Sequence, residues 1–337
     1  MDDHLMPDVA EQPGDPARGG APSIAVLVPC YNEEAAIGKV VGEFRRTLPQ
    51  GRVFVYDNNS TDRSVMIAGN AGAIVRHETL QGKGNVVRRM FADIEADVYV
   101  LVDGDDTYDA GAAADLVDQL LRNQLDFVNG KRSGGGAAAY RAGHRIGNRI
   151  LTGVVSLVFG KRFEDMLSGY KVMSRRFVKS FPALSSGFEI ETELTVHALE
   201  LGVGIAEHPT SYKERPEGSV SKLRTFRDGW RILRTIGLLI RDERPMAFFA
   251  TLAAVLSVTA MVLAWPLMVT YLETGLVPRL PTALLSTGLM ILAFLSIACG
   301  FILDTVTRGR REMKRLHFLA YPPAGAAPRR AADRGSP

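Results

Sequence analysis

The sequence predicts an α/β fold, a mostly parallel sheet with helices on both faces, followed by a C-terminal anchor of two transmembrane helices. Two patterns carry this expectation. From Ser23 onward, short apolar runs alternate with amphipathic segments, as βαβ units require. Farther on, Met246 to Leu272 and Pro281 to Leu303 hold no charged side chain, and each exceeds the ~20 residues that cross a hydrocarbon layer. A chain of 337 residues with 46% hydrophobic content can supply both a packed core and such an anchor.

Taken in order, Ser23 to Pro29 reads as a buried strand and Glu33 to Thr47 as a helix entered through Asn32. Val53 to Asp57 is the second strand, and Thr61 or Asp62 can cap the helix that follows. Ala73 to Arg76 is a third strand; a loop with Gly82 and Gly84 then leads into a helix that ends at Ile94. Val98 to Val102 is the most strand-like run and stops at a cluster of aspartates, while Asp126 to Gly130 repeats the strand pattern. Ser133 to Ala139 is a loop of small residues. Leu223, Phe226, Trp230, Leu233 and Ile236 recur at helical spacing beside Arg224, Arg227, Arg231 and Arg234, which reads as an interfacial helix.

The expected organisation is therefore a disordered tail (1–22), a sheet domain (23–222), an interfacial region (223–245), two spans (246–304) and a basic tail (305–337), disordered after Arg315. The first residues lack the basic start and apolar run of a signal peptide. Basic residues flank the spans at Arg241, Arg244, Arg308, Arg310, Arg311, Lys314 and Arg315, so both termini are expected in the cytoplasm, with a bacterial inner membrane as the setting.

Charge and composition exclude several classes. With 40 basic and 37 acidic residues, the net charge of +3 gives no bulk attraction to nucleic acid. Cys30 and Cys299 lie in separate apolar segments and form neither a disulfide framework nor a zinc site. The six histidines have no ligand spacing.

The chemistry-bearing residues fall at strand ends, where open α/β sheets bind ligands. Asp103 and Asp105 in VYVLVDGDDTYD, one residue apart, can hold Mg²⁺ or Mn²⁺ and leave positions for a diphosphate. Asp57, opening DNNSTD, can accept a hydrogen bond from the ring N–H of uracil or guanine; Asp62 reads as a helix cap. PCYNEE supplies Pro29, Tyr31 and Glu33, the last suited to ribose hydroxyls. In GFEIETEL the glutamates alternate and cannot share one helical face; Glu189 is taken as the site residue, and Glu191 and Glu193 as solvated surface.

In this order, VLVPCYNEE, VYDNNSTD, GKGNVVRRM and LVDGDD resemble the family 2 glycosyltransferases of the GT-A (Rossmann-like) fold. DMLSGYK and ERPEGSVSKLR narrow the resemblance to dolichyl-phosphate mannose and glucose synthases and their bacterial polyprenyl-phosphate relatives. The resemblance implies Asp57 at the base with Asn59 beside it, Glu33 at the ribose and Lys83 near the nucleotide. It implies Asp103, Gly104 and Asp105 as the metal-binding DXD motif. Thr107 stands where many relatives have Gln, and Asn58 and Asn59 stand where DDGS is usual. Asp165, Ser168, Gly169 and Lys171 resemble the loop beside the donor sugar; Arg215, Ser221 and Lys222 resemble a mobile segment over the diphosphate.

Arg132 and Arg145 resemble the arginines that hold the acceptor phosphate. A phosphate monoester with a second pKa near ~6 arrives as a nucleophile and needs no base, only positive charge to draw it toward an anionic donor. The expected reaction is inverting transfer from a nucleotide diphosphate-sugar, UDP-sugar preferred to GDP-mannose, to a polyprenyl or dolichyl phosphate at the membrane. A homo-oligomer is compatible with this. Two alternatives stay open: a hydroxyl acceptor, with Asp165 or the GFEIETEL segment as base, and an inactive membrane scaffold or flippase-associated subunit.

Overall fold

The computed structural model describes residues 21–133, 163–213 and 244–324, with residues 153, 237 and 241. These fall into two units, one holding the sheet together with residues 314–324, and the other holding residues 244–313. The expected tail 1–22 apart from its last two residues, the small-residue loop beyond Ser133, the interfacial helix except Gly237 and Arg241, and the tail beyond 324 lie outside the described residues.

In the first unit the alternation becomes β1 (Ile24–Cys30), α1 (Ile37–Thr47), β2 (Gly51–Asp57), α2 (Ser64–Asn70), β3 (Ile74–His77), α3 (Lys83–Asp93) and β4 (Val98–Leu101). A short 3-10 helix, Ala110–Ala112, precedes α4 (Ala113–Arg122) and β5 (Phe127–Ser133). After the undescribed stretch come β6 (Lys171–Ser174), α5 (Arg175–Ser180), α6 (Ile190–Leu201) and β7 (Ile205–Ser211). The sheet order is β3-β2-β1-β4-β6-β5-β7. β6 runs antiparallel to both neighbours, and the other pairings are parallel.

β1 is buried at every residue but Pro29, as expected of a central parallel strand covered on both faces. Ile37, Val40, Val41 and Phe44 of α1 form the apolar stripe that covers it. In register, Cys30 of β1 lies beside Asp57 of β2, so PCYNEE and DNNSTD leave the sheet at one edge. The chain order reverses between β1 and β4, which makes this edge a topological switch point.

The sequence reading placed no strand at β6 or β7. β6 is only four residues long and starts on a lysine, and it is buried throughout. β7 carries Pro209, which an edge strand tolerates because one side of its backbone needs no partner.

In the second unit, α7 (Pro245–Thr274) and α8 (Leu280–Leu319) are both long and apolar enough to cross a membrane. They pack through small residues: Ala253 and Ala260 of α7 and Ala293 of α8 are buried, and a Cβ at Gly300 would lie 3.1 Å from Phe249 Cβ. α8 continues well past the apolar run, to Leu319. Its last turns belong to the first unit, where Lys314 pairs with Glu200 at 2.8 Å and the Phe318 ring lies 4.6 Å from the Arg176 guanidinium. Residues 316–319, expected to be disordered, are therefore helical and packed at their end.

Candidate active site

The site forms where β1, β2 and β4 end. Asp57 closes β2, is 4% exposed, and accepts from the Ser60 amide at 3.2 Å while His77 Nδ1 lies 3.3 Å from it. Glu33 is buried nearby, its amide donating to Ser64 Oγ at 2.7 Å. Glu33, Asp57 and Asp62 all bear on Cys30, whose thiol is pushed up to about 12, chiefly by burial. Asn58 accepts from the Gly82 amide and donates to the carbonyls of Glu78 and Leu80, which fixes the loop before α3. An aspartate there would lack the two donated bonds. Asn59, at φ 67°, reaches Thr79 O and Gln81 Oε1, and Tyr31 is exposed. Asp62 accepts from the amide and hydroxyl of Ser64, the cap-like role expected of it.

Across the switch point, the DXD loop is tightly held. Thr107 donates to Asp105 Oδ1 through its hydroxyl at 2.6 Å and its amide at 3.2 Å. Asp106 adopts φ 58° and accepts from Lys39 Nζ at 2.5 Å. Gly104 packs against Pro29 O and Val28. Gly169 faces Asp103 so closely that a Cβ there would stand 2.3 Å from Asp103 Oδ2. Lys83, the first residue of α3, donates to Asp103 Oδ1 and, at 2.5 Å, to Glu191 Oε1. Burial alone would lower the Lys83 pKa, but the two carboxylates outweigh it and raise it. Burial pushes the Glu191 carboxyl up, and Lys83 opposes this. Gly82 sits at φ 132° under Ser186 O, where a Cβ would come within 2.2 Å, so only glycine admits this approach of α3 to the 185–186 segment.

A second cluster adjoins the first. Arg132, near the end of β5, forks onto Asp165 through Nε and Nη2, both at 2.7 Å. Burial would push the Asp165 carboxyl up, but the Arg132 guanidinium holds it below the usual range. The Tyr212 ring lies 5.5 Å from the same guanidinium and 5.3 Å from the Tyr108 ring. Tyr108 Oη accepts from the Gly169 amide at 2.7 Å, and both tyrosines feel Arg132 and Asp103. The two clusters thus share a wall.

Comparison with known proteins places the chain in a family. The Glycosyl transferase family 2 model matches residues 25–180. Glycosyltransferase AglJ of Haloferax volcanii is 30% identical over 305 residues, 88% of this chain and 98% of that protein. The chain belongs to the family 2 glycosyltransferases. A dolichyl-phosphate hexose transferase of the same organism is 29% identical over 221 residues, 66% of this chain and 95% of that protein. Among solved structures, glucosyl-3-phosphoglycerate synthase from Mycobacterium tuberculosis superposes with a TM-score of 0.53 at 22% identity, covering 65% of this chain and 78% of that one. The protein is a glycosyltransferase of the GT-A fold.

Within this glycosyltransferase several expected site residues meet at one edge: Pro29, Glu33, Asp57, Asn59, Lys83, Asp103, Gly104 and Asp105, with Arg132 and Asp165 beside them. Glu189 is buried directly before α6. Arg145, Arg215, Ser221 and Lys222 lie outside the described residues.

Three expectations need correction. Lys171 does not line the site: it is fully buried in β6, donating to Asn129 Oδ1 at 3.0 Å and Thr195 Oγ1 at 3.3 Å, and burial brings its pKa down to about 8. Glu191 and Glu193 are not solvated surface. Glu191 holds Lys83, and Glu193 accepts from the amides of Leu184 and Ser185, both at 2.9 Å. The reason is that α6 is buried on nearly all sides and has no broad solvent face.

The candidate donors at the DXD loop are the carboxylates of Asp103 and Asp105, and among the described residues no group of three or more His, Cys, Asp and Glu converges around one point. Oxygen donors in so small a number fit a hard divalent cation that keeps phosphate and water ligands. The Thr107 hydroxyl and amide fix one oxygen of Asp105, as outer hydrogen bonds would orient a carboxylate ligand.

Proposed function

We propose that this glycosyltransferase moves a sugar from a nucleotide diphosphate-sugar onto a polyprenyl phosphate, with inversion, at the cytoplasmic face of a membrane. The observation that carries the reading is the Arg132–Asp165 fork. A hydroxyl acceptor needs a base, and Asp165, one of the two candidates for that role, has both oxygens engaged by Arg132, which lowers its basicity. An acceptor that arrives as an anion needs the guanidinium instead, which Asp165 aligns. Arg145 is assigned to the same phosphate.

Asp57 reads the base, Glu33 and Asn59 lie beside the nucleoside, and Lys83 carries positive charge at the diphosphate. Tyr31, Gly104 and Pro29 shape the floor, and Glu189 borders the sugar. Asp103 and Asp105 would hold Mg²⁺ or Mn²⁺, which supplies charge to the departing diphosphate. Arg215, Ser221 and Lys222 are assigned to a cover over it. The mycobacterial synthase, solved with Mn²⁺ and UDP, supports a divalent metal and favours a UDP-sugar donor. The dolichyl-phosphate hexose transferase supports a lipid phosphate acceptor. The two apolar helices support residence in the membrane, with the basic flanks of the spans on the cytoplasmic side.

The acceptor class is tested by phosphorus NMR of polyprenyl phosphate incubated with the full chain, Mn²⁺ and a panel of UDP- and GDP-sugars. Conversion of the monoester resonance to a diester is the expected result. Sugar consumed with the monoester unchanged, and a glycosylated polyprenol or diacylglycerol formed instead, would reject it.

A further inference from the structure

Lys83 joins three parts of the fold. It starts α3, reaches the loop after β4 at Asp103, and reaches the first turn of α6 at Glu191. Lys83 and Glu191 are the enclosed members, with side chains 8% and 10% exposed, whereas Asp103 is 28% exposed. A single buried ammonium thus serves two carboxylates, one of which belongs to the DXD pair.

We propose that Lys83 competes with the divalent cation for Asp103, and that Glu191 is the positioning residue that keeps Lys83 in place when Asp103 is given up. The inference rests on the metal and donor reading above. An ammonium and a divalent cation on the same carboxylate oxygen would repel across a separation of about 4 Å. Lys83 must therefore withdraw from Asp103 for that oxygen to ligate. Withdrawal without Glu191 would strand a buried charge; with Glu191 the ammonium keeps one full partner. The consequence is a site that binds metal weakly by itself and well with a nucleoside diphosphate, whose negative charge compensates the displaced ammonium. This discourages binding of a metal ion that arrives without donor.

The test is Mn²⁺ binding to the full chain in detergent, read from free Mn²⁺ by electron paramagnetic resonance, with and without UDP. Lys83→Met/Glu191→Gln removes one positive and one negative charge, so the net charge is unchanged. It is expected to bind Mn²⁺ without UDP on the order of tenfold more tightly than the unmodified chain. Glu191→Gln alone leaves Lys83 dependent on Asp103 and is expected to weaken binding by a similar factor. The spectra need only folded protein, and near-ultraviolet circular dichroism confirms that condition for each variant. No tightening in the double variant would overturn the inference. Asp103→Asn/Asp105→Asn separates the two levels of the argument. If that variant keeps full Mn²⁺ binding with UDP, the metal reading falls and the competition with it; if it loses Mn²⁺ while the double variant shows no tightening, the competition alone falls.

Discussion

Thr107 bears directly on how the DXD pair works, because its hydroxyl and amide both fix Asp105 Oδ1. Thr107→Val removes the hydroxyl bond and keeps the shape. Apparent Mn²⁺ affinity in the presence of UDP is expected to fall ~10–100-fold, the usual effect of losing a group that orients a metal ligand. An unchanged affinity would mean that Asp105 is oriented by something else. The placement of Asp57, Asp103 and Asp105 at or just past strand ends on one edge of the sheet was legible from sequence, because each follows a short apolar run, rich in valine, that stops at turn residues. Glu191 was not legible. Its partner Lys83 is 108 residues away in sequence, and spacing does not show which of three alternating glutamates is enclosed. The available signal was the composition of IETELTVHALEL, where carboxylates alternate with Ile190, Leu194 and other apolar residues, so that a buried helix here would need a partner for each. Lys171 was misread for a related reason, since a lysine next to a site motif reads as a ligand group until its strand is known to be central.

At the scale of elements, α6 carries the most consequence. It holds Glu191 and Glu193 near its start, Thr195 against Lys171, and His197 in its middle. His197 lies 5.2 Å from the Phe177 ring and 5.3 Å from the Phe181 ring, and its Nε2 meets Ser180 Oγ at 3.2 Å. Burial first, and then the charge of Lys314, lower its pKa from 6.5 to about 3. The folded imidazole stays neutral while the unfolded one takes up a proton, so this group's contribution is present above about 6.5 and is lost as pH falls toward 3. His197→Phe keeps the aromatic packing and removes the titration. Its urea midpoint is expected to fall less between pH 7 and pH 5 than that of the unmodified chain; equal losses would assign the acid sensitivity to other groups. β1 through β5 were legible from apolar runs between turn residues. β6 and β7 were hidden because one is very short and the other is a mixed edge strand, so neither shows the hydrophobic continuity of a central parallel strand.

At the scale of the whole molecule, the two apolar helices were legible by length and composition alone, whereas the continuation of α8 to Leu319 was not, since basic residues after a span read equally well as a tail. The helices expose Trp265, Leu272, Phe294, Phe301 and Ile302, a surface suited to lipid. Membranes holding the full chain are expected to retain it through an alkaline carbonate wash and release it in detergent; release by carbonate would contradict a spanning anchor.

The central claim is that the carboxylate edge of this sheet transfers sugar to a lipid phosphate. It is tested most directly by incubating the purified chain in detergent with labelled UDP- and GDP-sugars, undecaprenyl phosphate and Mg²⁺ or Mn²⁺, and counting label extracted into organic solvent. Label in the lipid phase that needs the metal, and that drops ~100-fold or more in Asp105→Ala, is the predicted result. Folded protein that gives no lipid label with any donor, or an Asp105→Ala chain as active as the unmodified one, would contradict it.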